Sequence, residues 1–150
     1  MDSKAKIKDV VERNNLVHIA TLGEDGLPHV RGVDYAAGDE EGCIYFLTNR
    51  DSRKVAHIRS NNGVGFVIDR DCPSLEQMLG LVYIKGSGTA TIVEDPEGLE
   101  KVFGLLLLKF PFLKDLSVNP ADLVGVRVDF GEIFLTDNTL GFGQTEIVNF

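Results

Sequence analysis

Residues 16–48 read LVHIATLGEDGLPHVRGVDYAAGDEEGCIYFLT and alternate between apolar runs and short polar turns. The apolar runs cover residues 16–22, 28–36 and 43–48, and the turns between them are GEDG and GDEEG. Runs of this length that are separated by Gly- and Asp-rich turns predict β-hairpins. Two successive hairpins predict an antiparallel sheet.

The rest of the chain adds strands of the same kind. Further strand patterns occur at residues 64–68, 81–94, 123–130 and 132–136. Gly86 and Gly88 in the long run predict a bend or bulge, and Gly131 predicts a tight connection between the last two strands. The tail at 137–150 has no clear period.

Three segments have the period of a helix. Residues 3–13 form the first, with Ser3 as its N-cap, and residues 51–60 form a second, capped by Asp51 or Ser52. Asp95-Pro96 predicts the start of a third helix, which Pro111 ends. This helix is apolar almost all round, so we expect it to be deeply buried or covered by a partner.

Together these patterns predict a mainly β (α+β) fold, a closed or nearly closed antiparallel barrel with helices at its ends. A chain of 150 residues suits one domain. It has no internal repeat, low-complexity tract or linker, so we expect a single domain over residues 1–150.

Composition excludes several classes of function. The chain has 23 acidic and 15 basic residues, a net charge of −8, which argues against general affinity for nucleic acid or anionic lipid. The N-terminus is charged where a secretory signal needs an apolar core, so we expect a cytoplasmic protein. Cys43 and Cys72 define neither a disulfide framework nor a zinc site.

The basic residues are concentrated in the segment TNRDSRKVAHIR at 48–59. Four of the fifteen basic residues lie there, where a strand end passes into a helix start. A helix N-terminus with Arg and Lys beside it suits a phosphate group. The alternative is a solvated helix face with ordinary surface charges.

The other candidate motifs give weaker evidence for a functional site. Gly86-Ser-Gly88 lies inside a strand pattern and opens no helix, so it is no dinucleotide motif. The three histidines share no metal-ligand spacing, and no metal site is expected. Ser52 and His57 lack the nucleophile elbow of a hydrolase. No side chain stands out as a catalytic acid or base.

The order of four motifs is more specific. HIATLGEDGLPH (18–29), YFLTNRDSRK (45–54), HIRSNNGV (57–64) and VYIKG (82–86) resemble successive segments of the pyridoxamine 5′-phosphate oxidase-like FMN-binding split-barrel family. The resemblance covers residues 7 to about 136. It implies a six-stranded antiparallel split barrel with Greek-key connections, a homodimer, and FMN bound at the dimer interface.

The resemblance also implies which residues bind the cofactor. Arg53 and Lys54 fall on the FMN phosphate, with Ser52 and Thr48 as neutral donors. Other positions of the family's cofactor site fall on two strands, at Arg31, Gly32, Val33 and Leu47.

Departures from the family's pattern limit the function. The resemblance places a Lys where this chain has Ala36, a Gln where it has Leu81, and a C-terminal Arg-x-His motif that is not found here. We therefore expect an FMN-dependent oxidoreductase of unidentified substrate rather than a true pyridoxamine 5′-phosphate oxidase. The alternatives are a non-catalytic flavin, deazaflavin or haem storage module, in which a histidine would ligate haem, and a structural protein with an empty pocket.

Overall fold

The computed structural model describes residues 1–150, which form eight strands and four α-helices. The strands are β1 (Leu16–Leu22), β2 (Pro28–Asp34), β3 (Ala36–Ala37), β4 (Cys43–Asn49), β5 (Gly63–Ile68), β6 (Val82–Val93), β7 (Leu123–Asp137) and β8 (Thr145–Asn149). The helices are α1 (Ser3–Arg13), α2 (Arg53–Ser60), α3 (Leu75–Leu79) and α4 (Pro96–Lys109), and two 3₁₀ turns lie between α4 and β7.

The eight strands form one antiparallel sheet that closes on itself. The hydrogen-bonded order is β2-β1-β5-β6-β7-β4-β3, and β8 pairs with β7. Tyr35 alone separates β2 from β3, so the two ends of this order belong to one bent segment of chain. That segment pairs with β1 through its first half and with β4 through its second half, which gives a split barrel.

Strand β7 joins the two halves of the barrel. It pairs with β6 along most of its length, with β4 through residues 123–129 and with β8 through residues 132–136. The register of β6 against β7 shifts between Gly86 and Gly88, which confirms the predicted bulge.

Two apolar clusters hold the fold together. The larger, of 19 buried residues, fills the barrel and includes Ile7, Val10 and Val11 of α1, which packs across one end. The smaller joins α4 to the outer face of β3 and β4, and its members are Ala36, Cys43, Tyr45, Val102, Leu106 and Phe110. Burial of apolar surface, which contributes about 25 cal/mol per Å², is the main favourable term in such packing.

The predicted fold class is confirmed, with eight strands in place of six. The expected strand at 28–36 is divided at Tyr35, and the tail contains β8. The expected break at Gly131 is wrong, because β7 runs through this position, where Gly131 lies against the main chain of Ser87 in the β6 bulge. Gly131 thus lies at a bulge and not in a turn.

The helix ends also differ in detail from the sequence predictions. The cap of α1 is Asp2 rather than Ser3, since the Asp2 carboxylate accepts the Ala5 N–H at 2.7 Å. Asp95 caps α4 as predicted, accepting from the N–H of Gly98. Helix α4 is not buried all round, because Leu108 is 82% exposed. No helix has the length and apolar character that a membrane span requires.

Candidate functional site

The candidate site lies where β4 ends and α2 begins. Ser52 occupies the N-cap position of α2 with extended backbone, but its side chain makes no capping bond. The first N–H groups of a helix have no partner within the helix, and Ser52 does not satisfy them. The start of α2 can therefore offer N–H donors, at the positive end of the helix dipole, to an anion.

Lys54 reaches back from α2 to the end of β4. Its Nζ donates to Oγ1 of buried Thr48 at 2.8 Å, and that hydroxyl donates to Ser52 Oγ at 3.4 Å. Burial, and then the charge of Arg31, lower the pKa of Lys54. Thr48 thus fixes the direction of the ammonium group without neutralising it.

Arg31 approaches the same region from the β1–β2 hairpin. In that hairpin Thr21 lies opposite His29, and Ile19 lies opposite Arg31. The Arg31 guanidinium donates through Nη1 to Thr21 Oγ1 at 2.7 Å and to the His29 carbonyl at 2.8 Å. Burial, and then the charge of Arg53, lower the pKa of Arg31.

The three cations Arg31, Arg53 and Lys54 lie close enough to oppose one another's charge, yet none forms an ion pair with a carboxylate. Arg31 and Lys54 are partly buried while Arg53 is exposed, and partly buried like charges without a counter-ion are unfavourable for the folded chain. A bound anion would relieve both the repulsion and the desolvation. The arrangement therefore suits a ligand with a phosphate or another strongly anionic group.

An apolar cleft of about 520 Å³ opens beside Lys54. Val33, Leu47 and Thr48 line it from the barrel, and α4 with the chain that follows lines it opposite. The side chains on that opposite wall are Phe103, Leu106, Leu107, Leu113, Lys114, Leu116, Val118, Pro120 and Leu123, and Asp34 lies at the edge of β2. Its volume falls within the range of small-molecule and cofactor sites.

A second, smaller hollow of about 340 Å³ adjoins Arg53. We call it the histidine hollow, and it is lined by Glu24, Asp25, His29, Arg53, Ala56 and His57. The His29 and His57 rings lie 4.9 Å apart. His57 is buried, and its Nδ1 lies 2.8 Å from Thr21 Oγ1.

The structure brings most of the predicted cofactor residues together. Val33, Leu47, Thr48 and Lys54 line the apolar cleft, and Ser52 accepts a hydrogen bond from Thr48. The charge of Arg31 acts on Lys54, and the charge of Arg53 acts on Arg31. Gly32 lies on the other face of the strand, because a Cβ added at this position would point towards Leu16. Gly32 would therefore meet a ligand through its main chain only.

Three residues of the site were not predicted from the sequence. Thr21, His29 and His57 surround the Arg31 guanidinium and its hydroxyl partner. The pairing of β1 with β2 could have indicated the first two, since His29 and Arg31 share a strand face and Thr21 lies opposite His29. His57 comes to them only when α2 packs on the barrel.

The largest cavity, about 590 Å³, lies elsewhere, between α1 and residues 70–82. Its Lys6 is paired with Asp137 at 2.7 Å and its Arg13 with Asp9 at 2.9 Å. Arg70 is the one side-chain cation of its lining without an ion pair, and four carboxylates share that lining, so the cavity offers no comparable group of free cations. Size alone does not identify the functional site here.

The closed antiparallel sheet, with α2 and α4 packed on it, defines a split β-barrel. A model of the pyridoxamine 5′-phosphate oxidase family matches residues 3–136. The chain therefore belongs to this family. No curated protein matches the chain significantly.

Several solved structures share the fold. The conserved hypothetical protein Rv2991 from Mycobacterium tuberculosis is 26% identical with a TM-score of 0.79, over 99% of this chain and 94% of that chain. General Stress Protein 26 from Bacillus anthracis is 23% identical with a TM-score of 0.71, over 100% of both chains. The haem storage protein HutZ from Vibrio cholerae is 18% identical with a TM-score of 0.70, over 90% and 95%.

Proposed function

We propose that residues 1–150 form an FMN-binding domain, and that the protein is an FMN-dependent oxidoreductase whose substrate is not pyridoxamine 5′-phosphate. The observation that carries this proposal is the proximity of Arg31, Arg53 and Lys54, none with a carboxylate partner, and the position of Lys54 in the lining of an apolar cleft. FMN combines a phosphate with a planar, largely apolar ring, and the site offers a surface for each.

The phosphate would be held at the start of α2. Arg31 and Arg53 supply forked donors, Lys54 supplies a point charge, and the α2 N–H groups and Ser52 supply neutral donors. Thr48 would keep Lys54 directed at the phosphate through the 2.8 Å bond. Hydrogen bonds to a charged group contribute about 1.5–3 kcal/mol each.

The ring would occupy the apolar cleft between Val33 and Leu47 on one side and α4 on the other. When bound, flavin supplies the hydride and electron transfer, and the protein supplies binding, orientation and electrostatics. Apolar walls exclude water from the ring, and neighbouring charges bias its electronics. No chain residue has to serve as a catalytic acid or base in this scheme.

The substrate site differs from that of a true pyridoxamine 5′-phosphate oxidase. Ala36 is buried against α4, so this position presents no charge to a substrate phosphate. Leu81 lines the cavity beside α1 rather than the apolar cleft. These two positions support a different, unidentified substrate.

We further propose that the active form is a cytoplasmic homodimer with the cofactor at its interface. Apolar side chains remain exposed on α4 and the turn after it, at Leu107, Leu108, Phe112, Leu116 and Val118. They border the cleft, so a second copy packed on them would also enclose the ring. Both cysteines are free thiols, in keeping with a reducing compartment.

The alternative is a carrier on the same barrel, holding haem, flavin or deazaflavin without turnover, since a haem storage protein shares the fold. None of the three histidines lines the apolar cleft. His29 Nε2 is bound to Asp25 and His57 Nδ1 to Thr21, so the cleft itself offers no free imidazole to haem iron. This favours flavin over haem.

Removing the two cations of α2 tests the proposal. We expect the Arg53→Ala/Lys54→Ala variant to bind FMN about a hundredfold more weakly, because it loses two charge-assisted interactions. Quenching of flavin fluorescence on titration measures the affinity, and thermal unfolding checks the fold.

The matched control is Arg50→Ala/Arg59→Ala, which removes the same charge from the same segment. Arg59 is paired with Glu94 and Arg50 donates to the Ala121 carbonyl, both exposed to solvent. The control should keep wild-type affinity. Equal affinity in the test variant and the wild type contradicts the site. Reduction of bound FMN by NADH or NADPH separates an enzyme from a carrier.

A further inference from the structure

A line of four contacts, three of them polar and one between two rings, runs behind the anion site. Asp25 contacts His29 Nε2 at 3.1 Å, and the His29 ring lies against the His57 ring. From there, His57 Nδ1 lies 2.8 Å from Thr21 Oγ1, which in turn lies 2.7 Å from Arg31 Nη1. Arg31 is the end of this line that would touch a phosphate. The other end opens into the histidine hollow.

The chemistry of each group fixes the direction of these bonds. A guanidinium only donates, so Thr21 Oγ1 must accept from Arg31. The hydroxyl then has one proton left, and a neutral His57 can accept it at Nδ1 while carrying its own proton on Nε2. A protonated His57 would instead donate to Thr21, and the hydroxyl proton would become free for another acceptor.

We propose that His57 is a positioning residue for the anion site and that binding of a phosphate at Arg31 is linked to the uptake of a proton by the His57 imidazole. The proton comes from solvent and no other bond is made or broken. The inference rests on the proposed function, because the phosphate in question is that of FMN.

Charges from every neighbouring element act on His57. Arg53 lies one turn earlier on α2, Arg31 and His29 come from β2, and Asp25 comes from the β1–β2 turn together with Glu24, which lines the hollow. On the side of β6, Glu94 is already held by Arg59 at 2.6 Å.

Most of these charges oppose a proton on His57. Burial first, then His29, Arg31 and Arg53, lower the pKa of His57, while Asp25 raises it. A phosphate would neutralise the field of Arg31 and Arg53, which oppose the imidazolium together with His29. Because linkage is reciprocal, a proton on His57 would strengthen phosphate binding by the same factor.

Calorimetric titration of the whole protein with FMN, in two buffers of different ionisation heat near neutral pH, measures the protons taken up. The FMN phosphate itself tends to lose a proton on binding to cations, since its second pKa is about 6. The comparison is therefore between variants. We expect the wild type to take up more protons per FMN than His57→Gln, by up to about one.

His18→Gln is the matched control, because His18 is exposed on the same β1–β2 hairpin, on the strand face opposite to Thr21 and Arg31, and its side chain makes no hydrogen bond. It should keep the wild-type proton count. Thr21→Val should weaken FMN binding roughly five- to tenfold by removing the partner of Arg31, and Thr21→Ser should restore it.

A second readout does not depend on the variants folding. The imidazole signals of His57, followed by NMR across pH in the wild type, should titrate at higher pH with FMN bound than without. FMN binding with no such shift, or with equal proton counts in wild type and His57→Gln, overturns the inference alone. If the wild type binds no FMN, the proposed function and the inference both fail.

Discussion

Gly88 and Gly104 differ in what a methyl group would meet. On β6, a Cβ at Gly88 would overlap the main-chain carbonyl of Asp129 in β7, at the bulge. On α4, a Cβ at Gly104 would meet no atom within 4 Å. The first glycine is required by a close approach of two strands, and the second is not required by its surroundings.

The same substitution should therefore have opposite effects at the two positions. Gly88→Ala is expected to lower the free energy of unfolding by about 1–3 kcal/mol, the usual effect of forcing extra atoms into a packed region. Gly104→Ala is expected to raise it by about 0.5–1 kcal/mol, because alanine favours the helix. Urea unfolding curves measure both. A neutral Gly88→Ala would show that the bulge relaxes to admit a methyl group.

The sequence predicted the charged residues of the site. It did not predict Thr21, which contacts Arg31, or His57, which contacts Thr21. Arg53 and Lys54 could be found because they are adjacent in sequence and follow a strand end. The contact of His57 with Thr21 could not, because it forms only when α2 packs on the β1–β2 hairpin. Sequence patterns within one segment do not show which residues of distant segments come into contact.

Helix α4 shows how far a pattern describes an element. Its apolar residues predicted a helix that is deeply buried or covered by a partner, and within the chain one face packs on the barrel, through Val102 and Leu106. A periodic pattern identifies the element, whereas the neighbour that covers each face has to come from the assembled chain. The same reason explains the missed β8, whose residues lie mostly exposed at the sheet edge and show no alternation.

The two faces of α4 should respond differently to substitution. Leu106→Ala is expected to lower the free energy of unfolding by about 2–5 kcal/mol, since it leaves a cavity beside Ala36 and Tyr45. Leu108→Glu, on the exposed face, should keep the fold and convert the proposed homodimer to a monomer. Urea unfolding and sedimentation velocity measure the two effects.

Glu100→Gln, which changes an exposed charge elsewhere on α4, serves as the control and should stay dimeric. A dimeric Leu108→Glu variant would show that the second copy packs on another face. A monomeric wild type would contradict the homodimer itself.

For the molecule as a whole, the net charge of −8 and the cations of the site act on a ligand over different distances. The acidic excess repels a polyanion at long range, whereas Arg31, Arg53 and Lys54 act on one group within contact distance. A single phosphate can be held in a chain that nucleic acid would avoid. Net charge therefore excludes partners by size as well as by sign.

The free energy of unfolding of the whole chain should depend on pH through the ionisation of His57. Its pKa is lowered in the folded protein from an ordinary value of 6.5. As the pH falls through that value, the unfolded chain takes up a proton that the folded chain does not, so the free energy of unfolding decreases.

We expect this decrease, between about pH 7 and about pH 5, to be steeper in the wild type than in His57→Gln, because glutamine does not titrate. Urea unfolding of the FMN-free protein at several pH values measures the slopes, and His18→Gln provides the comparison. Parallel slopes in all three proteins would show that His57 titrates alike in the folded and unfolded chain.

The position of β7 in the chain has a consequence for how the protein folds. This strand pairs with β4, β6 and β8, and β4 precedes it by some eighty residues. During synthesis, which proceeds at about 5–20 residues per second, β4 and β6 must wait several seconds with an unpaired edge. Such edges promote association between nascent chains. Long-range pairing of this kind also slows folding, so the pairing of β4 with β7 limits how fast the barrel closes.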